Sequence, residues 1–184
     1  MTELDEAVGV VPTEGRGSLP FALLHNEALV AVASWALGEA GVELLDFTAP
    51  WSEVVERGLP LVVHDPLCPG APVDFLRTAV AESAASGAVL VGVRPVTDTV
   101  KHLDGGVVGE TVDRAALVAV ASPVVLPAAV VAGLDDWPDL DDVPAFVERL
   151  RGAYPVTFLE APAEARRVAD ESDVRLLEAA TPTD

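Results

Sequence analysis

The chain has 184 residues, of which 51% are hydrophobic and 22% are charged. This apolar content is enough for a packed core and excludes an intrinsically disordered chain. A formal net charge of −19 argues against nucleic acid and anionic membranes as partners, because both repel an acidic surface. The length predicts one domain over residues 1–184.

Cysteine content and the N-terminus bear on compartment. Cys68 is the only cysteine, so no disulfide can form within the chain, and with three scattered histidines it does not make a zinc site. Residues 1–7 lack the basic region of a signal peptide. No apolar run approaches the roughly 20 residues of a membrane span. We therefore expect a cytoplasmic protein.

Short valine-rich runs alternate with longer amphipathic stretches along the chain. The runs carry almost no charge, which is typical of strands in a sheet covered on both faces. This alternation predicts an α/β fold with a mainly parallel, Rossmann-like sheet of about six or seven strands and helices on both faces. The predicted strands are 8–12, 42–47, 59–63, 88–93, 117–121 and 155–159. The predicted helices are 28–40, 73–86, 126–134, 143–152 and 171–180.

Segment 94–114 departs from this alternation. Two extended pieces flank a turn at 103–106 that has Asp-Gly chemistry, and the segment carries too much charge for a central buried strand. We predict a β-hairpin arm that either lies over a site or reaches a second subunit. Because an isolated hairpin is only marginally stable, the arm predicts a homodimer built through it.

A second unusual segment, 134–142, contains five aspartates around Trp137-Pro138. A calcium site is one interpretation, but the EF-hand spacing with its central glycine is absent. A solvated loop that caps the following helix is the preferred interpretation.

Asp65 directly follows the predicted strand 59–63. Ligands of open α/β sheets bind at the carboxyl ends of the strands, where a carboxylate can hold Mg²⁺ between nucleotide phosphates or bind a ribose hydroxyl. An aspartate that caps the turn before Pro66 explains the same position. Position alone leaves both interpretations open.

Thr99 and Arg114 lie on opposite strands of the predicted arm. Arginine can grip a phosphate with two hydrogen bonds, and a threonine hydroxyl can add a third. The alternative is an ion-pair network that stiffens the arm, made by Asp98, Lys101, Asp113 and Arg114.

Three motifs, in this order, resemble the 2-C-methyl-D-erythritol 4-phosphate cytidylyltransferase family. That family joins CTP to a sugar-alcohol phosphate and releases pyrophosphate in isoprenoid biosynthesis. The resemblance is specific from Leu61 to Pro123, weak before Asn26 and moderate after Pro155. The motifs are Leu61-Val62-Val63-His64-Asp65-Pro66, Pro95-Val96-Thr97-Asp98-Thr99-Val100-Lys101 and Glu110-Thr111-Val112-Asp113-Arg114.

The resemblance implies an acceptor site for the sugar-alcohol phosphate. It places Asp65 beside Mg²⁺ and the triphosphate, and it takes Thr99 and Arg114 from the partner subunit's arm. Ser122, expected just after strand 117–121, supplies a hydroxyl to the pocket. Arg167 stands where the family has a catalytic, phosphate-binding lysine, although Arg166-Arg167 alone reads as a solvated pair.

The resemblance also implies a nucleotide site at the N-terminus. Gly15 and Gly17 belong to the glycine-rich loop whose backbone N–H groups cradle the triphosphate, and Arg16 is the catalytic arginine of that loop. Glu14 brings a like charge to this cradle, which costs on the order of several kcal/mol at ~4 Å. Phe21 replaces the loop's lysine.

Further departures concern other substrate contacts. Cys68 replaces an arginine of the family, and Val124 replaces a glutamine. Only residues 48–58 separate the second and third predicted strands, so the family's base-recognition segment is missing.

Three functions therefore compete. The first is a compact, Mg²⁺-dependent cytidylyltransferase that binds a nucleotide. The second is a paralogue with weakened or lost catalysis that binds a small phosphorylated ligand or acts as a regulatory or interaction protein. The third is a sugar-phosphate nucleotidyltransferase with another base preference. The residues of the implied sugar-alcohol phosphate site are retained, whereas several of those implied for the nucleotide site are lost. This pattern favours the second function.

Overall fold

The computed structural model describes residues 7–97 and 99–181. Single 3₁₀ turns lie at Leu19–Phe21, Arg114–Ala116 and Ala163–Ala165. The strands and helices are, in chain order, β1 (Ala7–Val10), β2 (Leu23–Leu24), β3 (Glu27–Ala28), α1 (Leu29–Glu39), β4 (Val42–Leu44), α2 (Trp51–Glu56), β5 (Leu61–Val63), α3 (Val73–Ser86), β6 (Val89–Pro95), β7 (Val100–Asp104), β8 (Val107–Val112), β9 (Val118–Leu126), α4 (Ala128–Val131), α5 (Val143–Arg151), β10 (Val156–Glu160) and α6 (Glu171–Ala180).

Six strands form the central sheet in the order β10-β6-β9-β5-β1-β4. β1 pairs in parallel with β4 and β5, and β10 pairs in parallel with β6, whereas β9 runs antiparallel to both of its neighbours. The mainly parallel α/β sheet predicted from the sequence is thus confirmed. Its carboxyl-terminal edge carries the loops that follow β1, β4 and β5.

Alternate residues of β5 point to opposite faces of this sheet. Leu61 and Val63 pack in one core cluster with α2, α4 and α5, while Val62 packs in another with α1 and α3. Both faces are covered by helices, which is why the central strands β1 and β5 contain no charged residue. In the described part of the chain, no helix combines the length and apolar character needed to cross a bilayer.

The prediction for the region after residue 117 was wrong in extent. β9 continues to Leu126, so Ser122 and Pro123 lie inside the strand and do not follow it. The pairing register with β6 shifts between Val91 and Val93, and this irregularity accommodates a proline in a central strand. The helix predicted at 126–134 is consequently shortened to α4.

Two small elements were not predicted. β2 and β3 form a hairpin whose turn residues, His25 and Asn26, both have positive φ values, 50° and 67°. Its turn contains no glycine, so its sequence does not resemble the usual hairpin signal. The other missed element, α2, is a short helix within the connection 48–58.

The arm predicted at 94–114 is confirmed as a hairpin. β7 and β8 pair antiparallel in a separate two-stranded sheet and are joined at Gly105 and Gly106, which both have positive φ. The Leu103 and Val108 side chains oppose each other across it and are 72% and 63% exposed. Asp98, a member of the suggested ion-pair network, lies outside the described residues.

The aspartate-rich segment 134–142 caps a helix, as the preferred interpretation expected. The Asp142 carboxylate accepts a hydrogen bond of 3.0 Å from the Ala145 backbone N–H at the start of α5. Among the residues described, no group of three or more histidine, cysteine, aspartate or glutamate side chains is arranged to hold a metal ion.

Candidate functional site

Asp65 is the centre of a buried polar cluster just beyond the end of β5. Its Oδ1 accepts hydrogen bonds of 3.0 Å from Arg16 Nε and from the Leu67 backbone N–H. Its Oδ2 accepts one of 3.1 Å from Arg167 Nε. The fold thus brings Arg16 and Arg167, the two predicted catalytic arginines, onto one carboxylate.

Arg16 is held inside the protein. Besides its bond to Asp65, it donates to the carbonyl oxygens of Glu14 (2.6 Å) and Leu140 (3.1 Å). Its side chain is only 2% exposed. A guanidinium presents its donors in a fixed fork, and here that fork is directed at three internal acceptors. Arg16 therefore ties the glycine loop to β5 and to segment 134–142.

Segment 134–142 also lies directly against the glycine loop. Gly15 has φ +72°, and a Cβ placed on it would be 2.9 Å from the Cα, the Cβ and the carbonyl oxygen of Asp141. Gly17 has φ +60°, and a Cβ there would meet nothing within 4 Å. Both predicted cradle glycines are exposed, but Asp141 lies close against Gly15, whereas Gly17 faces open space.

Ser122 reaches the cluster from β9 and is itself buried. Its Oγ accepts a hydrogen bond of 3.0 Å from the Asp65 backbone N–H and lies 2.5 Å from His64 Nδ1. Its hydroxyl is therefore engaged within the protein.

His64 stands out because the sequence reasoning gave this residue no role. Burial lowers the pKa of His64 to about 4, although the neighbouring Asp65 charge opposes this effect. The imidazole is thus neutral at physiological pH. Its Nε2 is buried without a hydrogen-bond partner within the described structure. Its position directly after the fully buried apolar strand β5 is the signal that could have indicated a buried histidine.

Cys68 occupies the position at which the resembling family has an arginine. The side chain is fully buried, and this burial, with the Asp65 charge as a smaller cause, raises the pKa of the thiol. The Cys68 backbone N–H donates to the Asp65 carbonyl in a turn. This residue therefore packs the loop as a neutral thiol and offers no charge to a ligand.

Arg167 differs from Arg16 in its exposure. Its side chain is 46% exposed. Only its Nε makes a hydrogen bond within the described structure, so both Nη groups remain for a ligand. In contrast, the neighbouring Arg166 is paired with Asp173 on α6 at 3.9 Å.

The prediction that Thr99 and Arg114 lie on opposite strands of the arm was wrong: Thr99 directly precedes β7, and Arg114 lies in the 3₁₀ turn that follows β8. Both residues are exposed at the base of the hairpin. Arg114 donates through Nη1 to the Thr97 carbonyl, and the Asp113 carboxylate accepts from the Ala115 backbone N–H. Within one chain, no described hydrogen bond or ion pair joins Thr99 or Arg114 to Asp65. Supply of these two residues by a partner subunit stays a prediction.

The groups around Asp65, as they are arranged here, do not form a set of ligands suited to Mg²⁺. Both carboxylate oxygens already accept hydrogen bonds from guanidinium groups, whose positive charges oppose a divalent cation. Oxygen ligands are what Mg²⁺ requires, and arginine supplies none. Mg²⁺ at Asp65 stays a prediction.

Comparison with known proteins supports the fold. No family model and no curated protein matches the sequence. The structure is similar to 2-C-methyl-D-erythritol 4-phosphate cytidylyltransferase from Thermus thermophilus, with TM-score 0.68, 22% identity and coverage of 94% of this chain and 96% of that one. The Francisella tularensis 2-C-methyl-D-erythritol 4-phosphate cytidylyltransferase matches with TM-score 0.63, 13% identity and coverage of 92% and 97%.

A third solved structure gives the same result. The 4-diphosphocytidyl-2C-methyl-D-erythritol synthase of Anaerococcus prevotii matches with TM-score 0.66, 12% identity and coverage of 95% and 97%. At these identities the likeness shows the fold alone. The chain therefore has the fold of these cytidylyltransferases over nearly its whole length, as the sequence resemblance implied.

Proposed function

We propose that this chain is a member of the methylerythritol phosphate cytidylyltransferase family in which cytidylyl transfer is weakened or lost. It retains an acceptor-side site for a small phosphorylated ligand. The fold likeness and the three sequence motifs support membership. The arrangement around the glycine loop supports the loss of catalysis.

The commitment of Arg16 to internal acceptors carries this proposal. Attack on the α-phosphate of CTP requires the triphosphate charge to be positioned and neutralised. Arg16 is the loop's own arginine, and it is buried against Asp65, Glu14 and Leu140. Phe21 is 59% exposed and brings no charge to the loop. Little positive charge is left there to receive a triphosphate.

The acceptor side keeps more of its chemistry. Arg167 has free Nη groups and is half-exposed. Arg114 and Thr99 are exposed on an arm that a partner subunit can present. We therefore propose a cytoplasmic homodimer whose arm completes a pocket for a sugar-alcohol phosphate. Mg²⁺ belongs to this proposal only if some activity survives.

Two measurements on the purified full chain test the proposal. Pyrophosphate release from CTP, methylerythritol phosphate and Mg²⁺ should be slow or absent. Calorimetric titration should detect methylerythritol phosphate but no CTP·Mg²⁺. Turnover at an ordinary enzymatic rate, on the order of 1–10³ per second, would contradict the loss of catalysis. If neither ligand binds, the phosphate site is absent as well, and an interaction protein is the remaining function.

A further inference from the structure

A cavity of about 380 Å³ lies at the carboxyl-terminal edge of the sheet, beside the glycine loop. Its walls come from the loop after β1, from the loop after β4 and from segment 134–142. A cavity of this volume lies within the range that small-molecule sites occupy. Its location, in the crevice outside the strand ends, is where ligands of open α/β sheets bind.

Two aromatic rings form one part of the wall. Phe47 and Trp137 lie with ring centroids 5.0 Å apart and their planes tilted by 55°. Trp137 is anchored, because its Nε1 donates to the Ala49 carbonyl at 2.8 Å and its ring packs edge-on against Trp51. The apolar wall is thus formed before any ligand arrives, which lowers the entropic cost of binding.

The polar part of the wall is acidic. Three of the lining residues are Glu14, Asp139 and Asp141, and none of the described residues that line the cavity is a lysine, arginine or histidine. Arg16 belongs to the glycine loop beside the cavity, but its guanidinium points into the protein and donates to the Glu14 and Leu140 carbonyls. The Asp139 carboxylate accepts a hydrogen bond of 3.1 Å from the Asp141 backbone N–H, and Arg149, which does not line the cavity, donates to the Asp139 carbonyl at 3.3 Å. A polyanion such as a nucleotide triphosphate would meet three carboxylates and no cationic side chain in this wall.

The aromatic part and the acidic part of the wall both favour a positively charged ligand. Aromatic faces attract cations through the negative charge of their π-electrons, and carboxylates add direct attraction. A bound metal ion is the other cation to consider, but these carboxylates are not among any described group arranged to hold one. An organic cation satisfies both the rings and the carboxylates.

We propose that this cavity, beside the glycine loop, binds a small organic ammonium compound. Glu14, Asp139 and Asp141 would supply the negative charge, and Phe47 with Trp137 would contact the apolar groups around the nitrogen. The net charge of −19 would assist, since it attracts cations over a distance. This site is separate from the proposed phosphate site at Arg167.

Calorimetric titration of the full chain with choline tests the proposal. The matched ligand is 3,3-dimethylbutan-1-ol, which has the shape of choline but carries carbon in place of the charged nitrogen. We expect choline to bind and the neutral alcohol to bind roughly tenfold more weakly. Absence of choline binding, or equal affinity for the two ligands, would overturn the proposal.

Variants locate the site. Phe47→Leu should weaken choline binding about fivefold, because an aliphatic side chain lacks the π-face. Phe47 is 43% exposed, so this change should leave the fold intact. Glu14→Gln should weaken binding about threefold. Asp135→Asn is the control, because Asp135 is an exposed aspartate of the same segment outside the cavity.

This control distinguishes binding in the cavity from attraction of the cation by the acidic surface in general. If Asp135→Asn lowers the affinity for choline as much as Glu14→Gln does, the attraction comes from the acidic surface in general and the proposed site does not exist. Displacement of bound choline by CTP·Mg²⁺ would also overturn the proposal, because the cavity would then accept a polyanion. These outcomes are independent of phosphate binding at Arg167, so either proposal can fail alone.

Discussion

Arg16 and Asp65 are 49 positions apart, yet their side chains form a buried ion pair with Nε and Oδ1 at 3.0 Å. The glycine loop is thereby fastened to the end of β5. Removing one partner of a buried ion pair is costly, because the other charge stays in a poorly solvated place. The residue that resembles a nucleotide-binding arginine therefore acts as a structural tie.

We expect Arg16→Ala to lower the free energy of unfolding by about 3 kcal/mol. Arg167 keeps one bond to Asp65 and prevents a larger loss. Urea denaturation measures the change. The control is Arg175→Ala, which removes an exposed i,i+4 ion pair with Glu171 and an exposed hydrogen bond to Ser172, and should cost less than about 1 kcal/mol. Equal stabilities of Arg16→Ala and the wild type would contradict the structural role.

Gly15 and Gly17 form a matched pair for testing the contact with segment 134–142. Both have positive φ, so alanine costs about 1–2 kcal/mol in backbone conformation at either position. Only at Gly15 does the new Cβ clash with Asp141. We expect Gly15→Ala to be less stable than Gly17→Ala by about 1–3 kcal/mol. Equal melting curves would show that segment 134–142 does not lie against the loop at Gly15.

His64 should make the protein sensitive to mild acid. Its pKa is about 4 when folded and 6.5 in the unfolded reference. The unfolded chain therefore takes up the proton first as the pH falls. The stability contribution is complete above pH 6.5 and is lost progressively towards pH 4, by about 3 kcal/mol in total.

His64→Asn is the variant that checks this origin. An asparagine amide can replace Nδ1 in the contact with Ser122 but does not titrate. Urea unfolding between pH 7 and pH 4 should show a smaller loss of stability in the variant than in the wild type. If both proteins lose stability in parallel, other groups cause the acid sensitivity.

Arg167 should contribute to phosphate binding where Arg166 does not. We expect Arg167→Ala to weaken the binding of methylerythritol phosphate by about 1.5–3 kcal/mol, the value of a hydrogen bond to a charged group. Arg166→Ala is the control, since Arg166 is paired with Asp173. Calorimetry on both variants checks the difference. Equal losses of affinity would indicate a general charge effect at this turn.

The exposed apolar residues of the arm should mediate dimer formation. Substituting both Leu103 and Val108 by aspartate places two charges in the proposed interface and should yield monomers. Leu23→Asp is the control, because Leu23 is an exposed apolar residue outside the arm. Light scattering at micromolar concentration gives the masses. A monomeric wild-type protein would contradict the dimer directly.

The sequence alone determined the fold class and most of the elements. Strands buried on both faces cannot carry charge, so valine-rich runs such as Leu61–Val63 were evident without coordinates. Helices α3 and α6 have the predicted bounds. The errors lay where tertiary pairing overrides a local rule. Proline usually ends a strand, but β9 pairs with a neighbour on each side and therefore continues past Pro123.

Only the tertiary structure decided which charges are available to a ligand. The sequence shows an arginine in a glycine loop, but its fate depends on acceptors far along the chain. Leu140, 124 positions away, supplies a carbonyl that turns Arg16 inward, and Asp141 lies close against Gly15. Such long-range contacts follow from packing and leave no mark in the local sequence. The number of charges is thus a property of the chain, whereas their exposure is a property of the fold.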